Sequence, residues 1–219
     1  MGSREVVAGL LIGALAGCGR IGFSDRKGFD ASTDTTSAVD GPIGSDGPRP
    51  MITRVAVADG SVRDGLGTLK NGVPDTAIDN SVVQVGDVPN FEDRGIVEFA
   101  LPPGLTVTAA RIDLGVFSSM GPFPFPIEVF GYDAGTSADG LLAVSDWTGG
   151  TSLGTFMYGG ETTVSFDVTA ALATATATSS AFVGIRFEFQ VPSAITLNGP
   201  FVAFNSNEFP PAAQLTITE

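Results

Sequence analysis

From about Thr53 onward, apolar and polar residues alternate with a period of two. Val183, Ile185, Phe187 and Phe189 alternate with Gly184, Arg186 and Glu188. Ile112, Leu114 and Val116 alternate with Arg111, Asp113 and Gly115, and Ile127 and Val129 with Glu128 and Phe130. That period places one face of each segment on a core and the other outside, which is the signature of a β-strand. Further strands are predicted over 53–58, 82–86, 95–101, 163–168, 201–205 and 213–218. Turn signals punctuate them: Asp59-Gly60, Asp64-Gly65, Asn71-Gly72, Pro102-Pro103-Gly104, Gly149-Gly150, Gly159-Gly160, Asn198-Gly199-Pro200 and Pro210-Pro211. One short helix is predicted over Thr169 to Thr176, alanine-rich but dense in threonine, and so limited to one or two turns. The expected fold is all-β: a jelly-roll-like antiparallel β-sandwich over 51–219 with one short helix.

The first fifty residues follow other rules. Val6 to Gly17 contains only Val, Ala, Gly, Leu and Ile. As a helix it would span roughly 18 Å, short of the ~30 Å hydrocarbon layer, so it reads as the apolar region of a signal peptide (1–17). The run ends Leu15-Ala16-Gly17-Cys18, and Cys18 is the only cysteine of the chain. A short buried helix is the competing reading, which Gly9, Gly13 and Gly17 would weaken by about 0.5–1 kcal/mol each. From Ser24 to Pro50 the chain is dominated by Asp, Ser, Thr, Gly and Pro without periodicity. It lacks the apolar content to offset chain entropy, so 18–50 is expected to be a disordered tether, with an r.m.s. span of roughly 30 Å over 24–50.

Composition narrows the chemistry. The chain has no histidine, which removes Ser-His and Cys-His catalysis and histidine metal ligands. A single cysteine closes no intrachain disulfide. The net charge of −13 argues against a nucleic-acid partner. Residues 18–50 carry five acids and four bases, whereas 51–219 carry eighteen and six, so the acidity belongs to the folded part.

Two family resemblances follow from these residues. Leu15-Ala16-Gly17-Cys18 resembles the lipobox of bacterial lipoproteins. That resemblance implies cleavage before Cys18, a diacylglycerol on its thiol, and a membrane held as partner through the N-terminal lipid. Gly19 stands where some bacteria place an inner-membrane retention aspartate, which favours an outer-membrane address. The domain resembles the DNRLRE family, grouped as carbohydrate-binding module family 96. The match is carried by Val57–Gly65, Val82–Gly86, Arg94–Leu101, Pro103–Leu114, Phe166–Thr169, and Ala203–Glu208 with Leu215–Thr218, in that order. It implies a secreted or surface-displayed jelly-roll module, with polysaccharide binding in some members.

Sugar sites on sandwiches use flat aromatic faces. Trp147 is the first candidate, followed by Tyr132, Tyr158, Phe123 and Phe125; the competing role for each is packing. The alternate prolines of Pro122-Phe123-Pro124-Phe125-Pro126 cannot donate ladder hydrogen bonds, so the segment is expected to be a rigid extended loop or edge. Its phenylalanines either cap an open end of the sandwich or form a contact patch. Asp75, Asp79, Asn80, Glu92 and Asp93 could supply oxygens to calcium, or form a solvated acidic surface. No cofactor is required. Paired carboxylates can hydrolyse glycosides, but no pair is marked out, and Ser and Thr have no base to activate them. The expected function is therefore a lipid-anchored, non-catalytic binding or display module for polysaccharide. The alternatives are an adhesion component that meets an envelope protein through the Phe-Pro loop or a sheet edge, and a small glycan-acting enzyme.

Overall fold

A computed structural model describes residues 49–65, 70–78, 82–88, 90–134, 137–190 and 199–219. The segment expected to be a signal peptide (1–17), Cys18 and nearly all of the expected tether lie outside them, as do Asp79 and Asn80. The strands are β1 (Met51–Val55), β2 (Ala58–Asp64), β3 (Thr76–Ile78), β4 (Val82–Val88), β5 (Phe91–Ala100) and β6 (Ala109–Met120). They continue with β7 (Phe125–Asp133), β8 (Thr151–Tyr158), β9 (Thr163–Asp167), β10 (Phe182–Phe189), β11 (Phe201–Asn205) and β12 (Gln214–Thr218). A 3-10 turn covers Val144–Trp147, and one helix, α1 (Thr169–Ala177), follows β9.

Every pairing is antiparallel. The strand order is β1-β12-β6-β11-β4-β5-β10-β7-β8, with β9 on β6, β2 on β5 and β3 on β2. β6 belongs to two sheets. Its first half, Ala109 to Gly115, lies between β12 and β9, and its second half pairs with β11 through a register shift. The sheet therefore curls on itself into a jelly-roll-like sandwich with one short helix. The alternating apolar residues meet inside: Val97 and Phe99 from β5, Ile112 and Leu114 from β6, Ile185 and Phe187 from β10, Leu215 and Ile217 from β12. A line of rings crosses this core. Phe156 meets Phe166 at 4.5 Å, Phe166 meets Phe187 at 5.6 Å, and Phe187 meets Phe204 at 5.6 Å. Phe187 and Phe204 are wholly buried and each stabilises the fold by about 1.5–3 kcal/mol, while Phe156 and Phe166 are partly buried at the margin.

β4 leaves β5 beyond Gly86 and crosses the inner face of the sheet. Ser61 and Gly95, paired across β2 and β5, lie beneath it. The Ser61 hydroxyl donates to Gln84 O at 3.1 Å and accepts from Gln84 N at 2.7 Å. A Cβ on Gly95 would stand 2.7 Å from Val85 Cγ2, so only glycine admits the crossing strand.

Three details differ from the expectation. The strand predicted over 53–58 is two strands, because consecutive amides serve different sheets: Ala56 N donates to Ala213 O, and Val57 N to Glu98 O. Asp59-Gly60 is not a turn but part of β2. The Asp59 carboxylate is buried and accepts from Asn207 N at 2.9 Å, and pairing with β5 overrides the local turn preference. β8 carries little alternation because a bulge opposite Val129/Phe130 interrupts its period. The predicted helix is present as Thr169–Ala177.

Candidate functional site

The five candidate aromatics do not form an open platform. Trp147, Tyr132, Tyr158 and Phe125 are buried, and Phe123 alone among them is exposed, at 43%. Phe123 stacks on Phe125 at 5.7 Å and meets Tyr158 edge-on at 5.6 Å, while Phe125 reaches Tyr158 and Phe189. The Tyr158 hydroxyl donates to Glu161 O at 3.0 Å. The Phe-Pro segment thus caps one end of the core, with Phe123 the exposed phenylalanine; it is not wholly a loop or edge, because Phe125 and Pro126 open β7 between β10 and β8, where Pro126 needs only its carbonyl, which accepts from Gln190 N.

The acidic candidates do not converge either. Asp93 is buried and grips Arg63 through two hydrogen bonds, at 2.6 and 2.7 Å. Burial pushes the Asp93 carboxyl up, and Arg63 pulls it back. Glu92 pairs with Arg94 at 2.9 Å. Asp75 accepts from Gly65 N at 2.7 Å. Among the described residues no group of three or more acidic or thiol side chains is placed to hold a metal ion. Asp87, with Lys70 on one oxygen, keeps its other oxygen buried without a hydrogen bond.

The polar residues that the structure does bring together lie on the outer face of β5, β10 and β7. Pairing aligns them in rows. Tyr132, Gly184 and Glu98 share one row, and Phe130, Arg186 and Ile96 the next. A Cβ on Gly184 would fall 2.0 Å from the Tyr132 ring, so glycine there lets the ring cross β10 and reach β5. The Tyr132 hydroxyl donates to Glu98 Oε1 at 2.8 Å. Glu98 Oε2 accepts from Asp139 N at 3.1 Å and Gly140 N at 2.7 Å. Glu98 is wholly buried. That burial raises its carboxyl to about 7 against the opposing pull of Tyr132 and the two amides, with the nearby Asp146 charge adding to the rise.

Below this row runs a ladder of charge. Arg186 donates to Glu188 Oε1 at 2.6 Å and lies over Phe130 at 4.7 Å. Arg94 donates to Glu92 at 2.9 Å, to Glu188 at 2.9 Å and to Trp147 O at 2.6 Å, with its guanidinium 3.9 Å from the Trp147 ring. The segment 137–147 covers this face and packs Ala138, Leu142 and Trp147 on Val62 and Ile96. Asp146 is held beneath it by Ala143 N at 2.7 Å, and burial raises its carboxyl. Sequence reasoning missed this arrangement because Arg94, Glu98, Arg186 and Glu188 occupy polar positions of alternating strands and read as solvent-facing. The available signal was charge concentrated on two central strands, followed by a glycine-flanked segment carrying the only tryptophan.

An open concavity lies elsewhere. A groove of about 740 Å³ runs between α1 and the β7–β8 edge, lined by Asp133, Ser152, Leu153, Asp167, Thr169 and Thr174 among others. Asp167 accepts from Thr169 N at 2.8 Å, and the Thr169 hydroxyl and amide hold its carboxyl below the usual range. Asp133 accepts from the Thr178 hydroxyl at 3.0 Å. Among the described residues no helix is long and apolar enough to cross a membrane. No known protein-family model matches the chain, and no curated protein matches it.

Proposed function

We propose that this chain is a lipid-anchored cell-envelope protein whose β-sandwich is a non-catalytic binding and display module. The observation that carries the reading is the order of parts: an apolar run closing on Leu15-Ala16-Gly17-Cys18, a polar spacer to about residue 50, and a compact unit over Asp46–Glu219. One acyl chain holds a membrane marginally and two hold it stably, so an acylated Cys18 makes a sufficient anchor. The outer-membrane address rests on Gly19. Polysaccharide is the ligand class that the resemblance to the DNRLRE family implies. A protein partner is the second reading. The burial of Trp147, Tyr132, Tyr158 and Phe125 favours it, because a sugar ring needs an open aromatic face.

Metabolic labelling with an alkynyl fatty acid tests the anchor. Label on the wild-type protein and none on Cys18→Ala is the expected result; equal label on both forms ends the proposal. A glycan array probed with the full chain separates the ligand classes. Binding to a defined polysaccharide supports the first reading, and a blank array transfers weight to a protein partner.

A further inference from the structure

The geometry points to β8 as a docking edge for an extended, cationic segment of a partner protein, which adds to the sheet as a further strand over the groove beside α1. This rests on the reading of the domain as a binding module and names the partner and the surface.

The direction of the β8 backbone follows from one hydrogen bond. Gln190 N donates to Pro126 O at 3.2 Å, so the polar backbone of Pro126 faces β10 rather than β8. In an antiparallel pair the facing direction alternates along each strand. Ile127 therefore bonds toward β8 and its partner Phe156 bonds back, while Thr155 and Met157, opposite Glu128 and Pro126, turn their N–H and C=O outward. Both residues are exposed, and no described strand pairs with this side of β8.

Solvent-facing edges are ordinarily blunted by lysine, proline or shortness. The other described edges follow that habit. β1 carries Arg54, β9 ends on Asp167, and β3 has three residues. β8 has eight residues, Thr-Ser-Leu-Gly-Thr-Phe-Met-Tyr, with no charge and no proline; its bulge at Leu153 leaves the stretch from Thr155 to Tyr158 regular, and there Met157 is 55% exposed. It is built like a strand that expects a neighbour.

Charge selects the occupant. Leu153 of β8 lines the groove together with Asp133 and Asp167, and among the described residues no cation lines it. On the outer face Glu128 accepts from the Ser152 hydroxyl at 2.6 Å, so that face is acidic too. Of the six cations in 51–219, Arg63, Lys70, Arg94, Arg111 and Arg186 are paired with carboxylates of this chain. An added strand would set alternate side chains into the groove and over Glu128, where lysine or arginine meets carboxylate on both sides. A second copy of this acidic domain would bring like charge to the same place.

The test uses the full chain in detergent micelles and synthetic extended peptides of about eight residues, the length of β8. One alternates valine with lysine, a second valine with glutamate, and a third is the lysine peptide with alternate amides N-methylated. The lysine peptide is expected to bind at least about fivefold more tightly than the glutamate peptide, and N-methylation to abolish binding. Hydrogen exchange at the Thr155 and Met157 amides should slow on binding. Thr155→Pro removes an outward donor and leaves the bonds to β7 in place, and should lose the peptide while keeping its melting temperature. Asp133→Asn with Asp167→Asn should erase the preference for lysine. Equal binding of the lysine and glutamate peptides, protection outside β8, binding of the N-methylated peptide, or a concentration-dependent dimer through β8 would each overturn the proposal. Lost peptide binding with Cys18 still acylated refutes the docking edge alone; peptide binding without acylation refutes the anchor alone.

Discussion

The two faces of β5 and β10 are made by neighbouring residues of the same strands and are stabilised in different ways. Inward go Val97, Phe99, Ile185 and Phe187, all fully buried among apolar neighbours. Outward go Arg94, Glu98, Arg186 and Glu188, of which Glu98 and Arg186 are also buried, under the segment 137–147. The inner face gains in proportion to the area it removes from water and depends little on partner identity. The outer face gains only while each charge keeps its partner, because an unpaired buried charge costs several kcal/mol. Burial alone therefore does not mark a core; the covering segment turns a nominal surface into an interior.

The largest expected effects separate these modes directly. Phe187→Ala should cost about 3–5 kcal/mol in urea unfolding through the cavity it leaves. Arg186→Ala should cost about 3 kcal/mol because it strips Glu188 of one of its two guanidinium partners, whereas Arg186→Met in place of Ala should recover part of that by filling the space. Met as damaging as Ala would mean that the charge pairing outweighs packing on this face.

Next comes pH. Glu98 lies at about 7 in the folded chain against an ordinary 4.5, so the folded state holds this proton more tightly than the unfolded one. The contribution is full below about 4.5 and is lost as pH rises through 7, amounting to about 3 kcal/mol. Asp93 and Asp146, also raised, act in the same direction. Urea midpoints should fall as pH rises from about 4.5 to 7 and level off above that, and Glu98→Gln should flatten that slope. An unchanged slope in Glu98→Gln would place the titration elsewhere.

The smallest effect concerns calcium. Asp75, Glu92 and Asp93 each have a partner within the chain, so adding calcium and then EGTA should move the melting temperature by less than about 2 °C. A larger rise would show that Asp79 and Asn80 complete a site with them.

The inner face was legible in the sequence because Val183 to Phe189 and Ile112 to Val116 keep strict period two, and a core needs nothing more specific than that. The end cap by the Phe-Pro segment was legible as one of two alternatives. The outer face was not, because alternation assigns Glu98 and Arg186 to solvent and carries no information on a loop 40 or so residues away in the chain that returns to cover them. β8 escaped for a local reason, since its bulge at Leu153 breaks the alternation that would have announced it. Trp147, the first candidate for a sugar face, is buried with its ring against Arg94, a position that alternation in the strands could not indicate.

Intact-mass spectrometry of the protein extracted from membranes measures the proposed anchoring at Cys18 most directly. The expected species begins at Cys18, lacks residues 1–17, and carries the added mass of a diacylglycerol with or without an amide-linked acyl chain. An unacylated chain that retains residues upstream of Cys18 would contradict it.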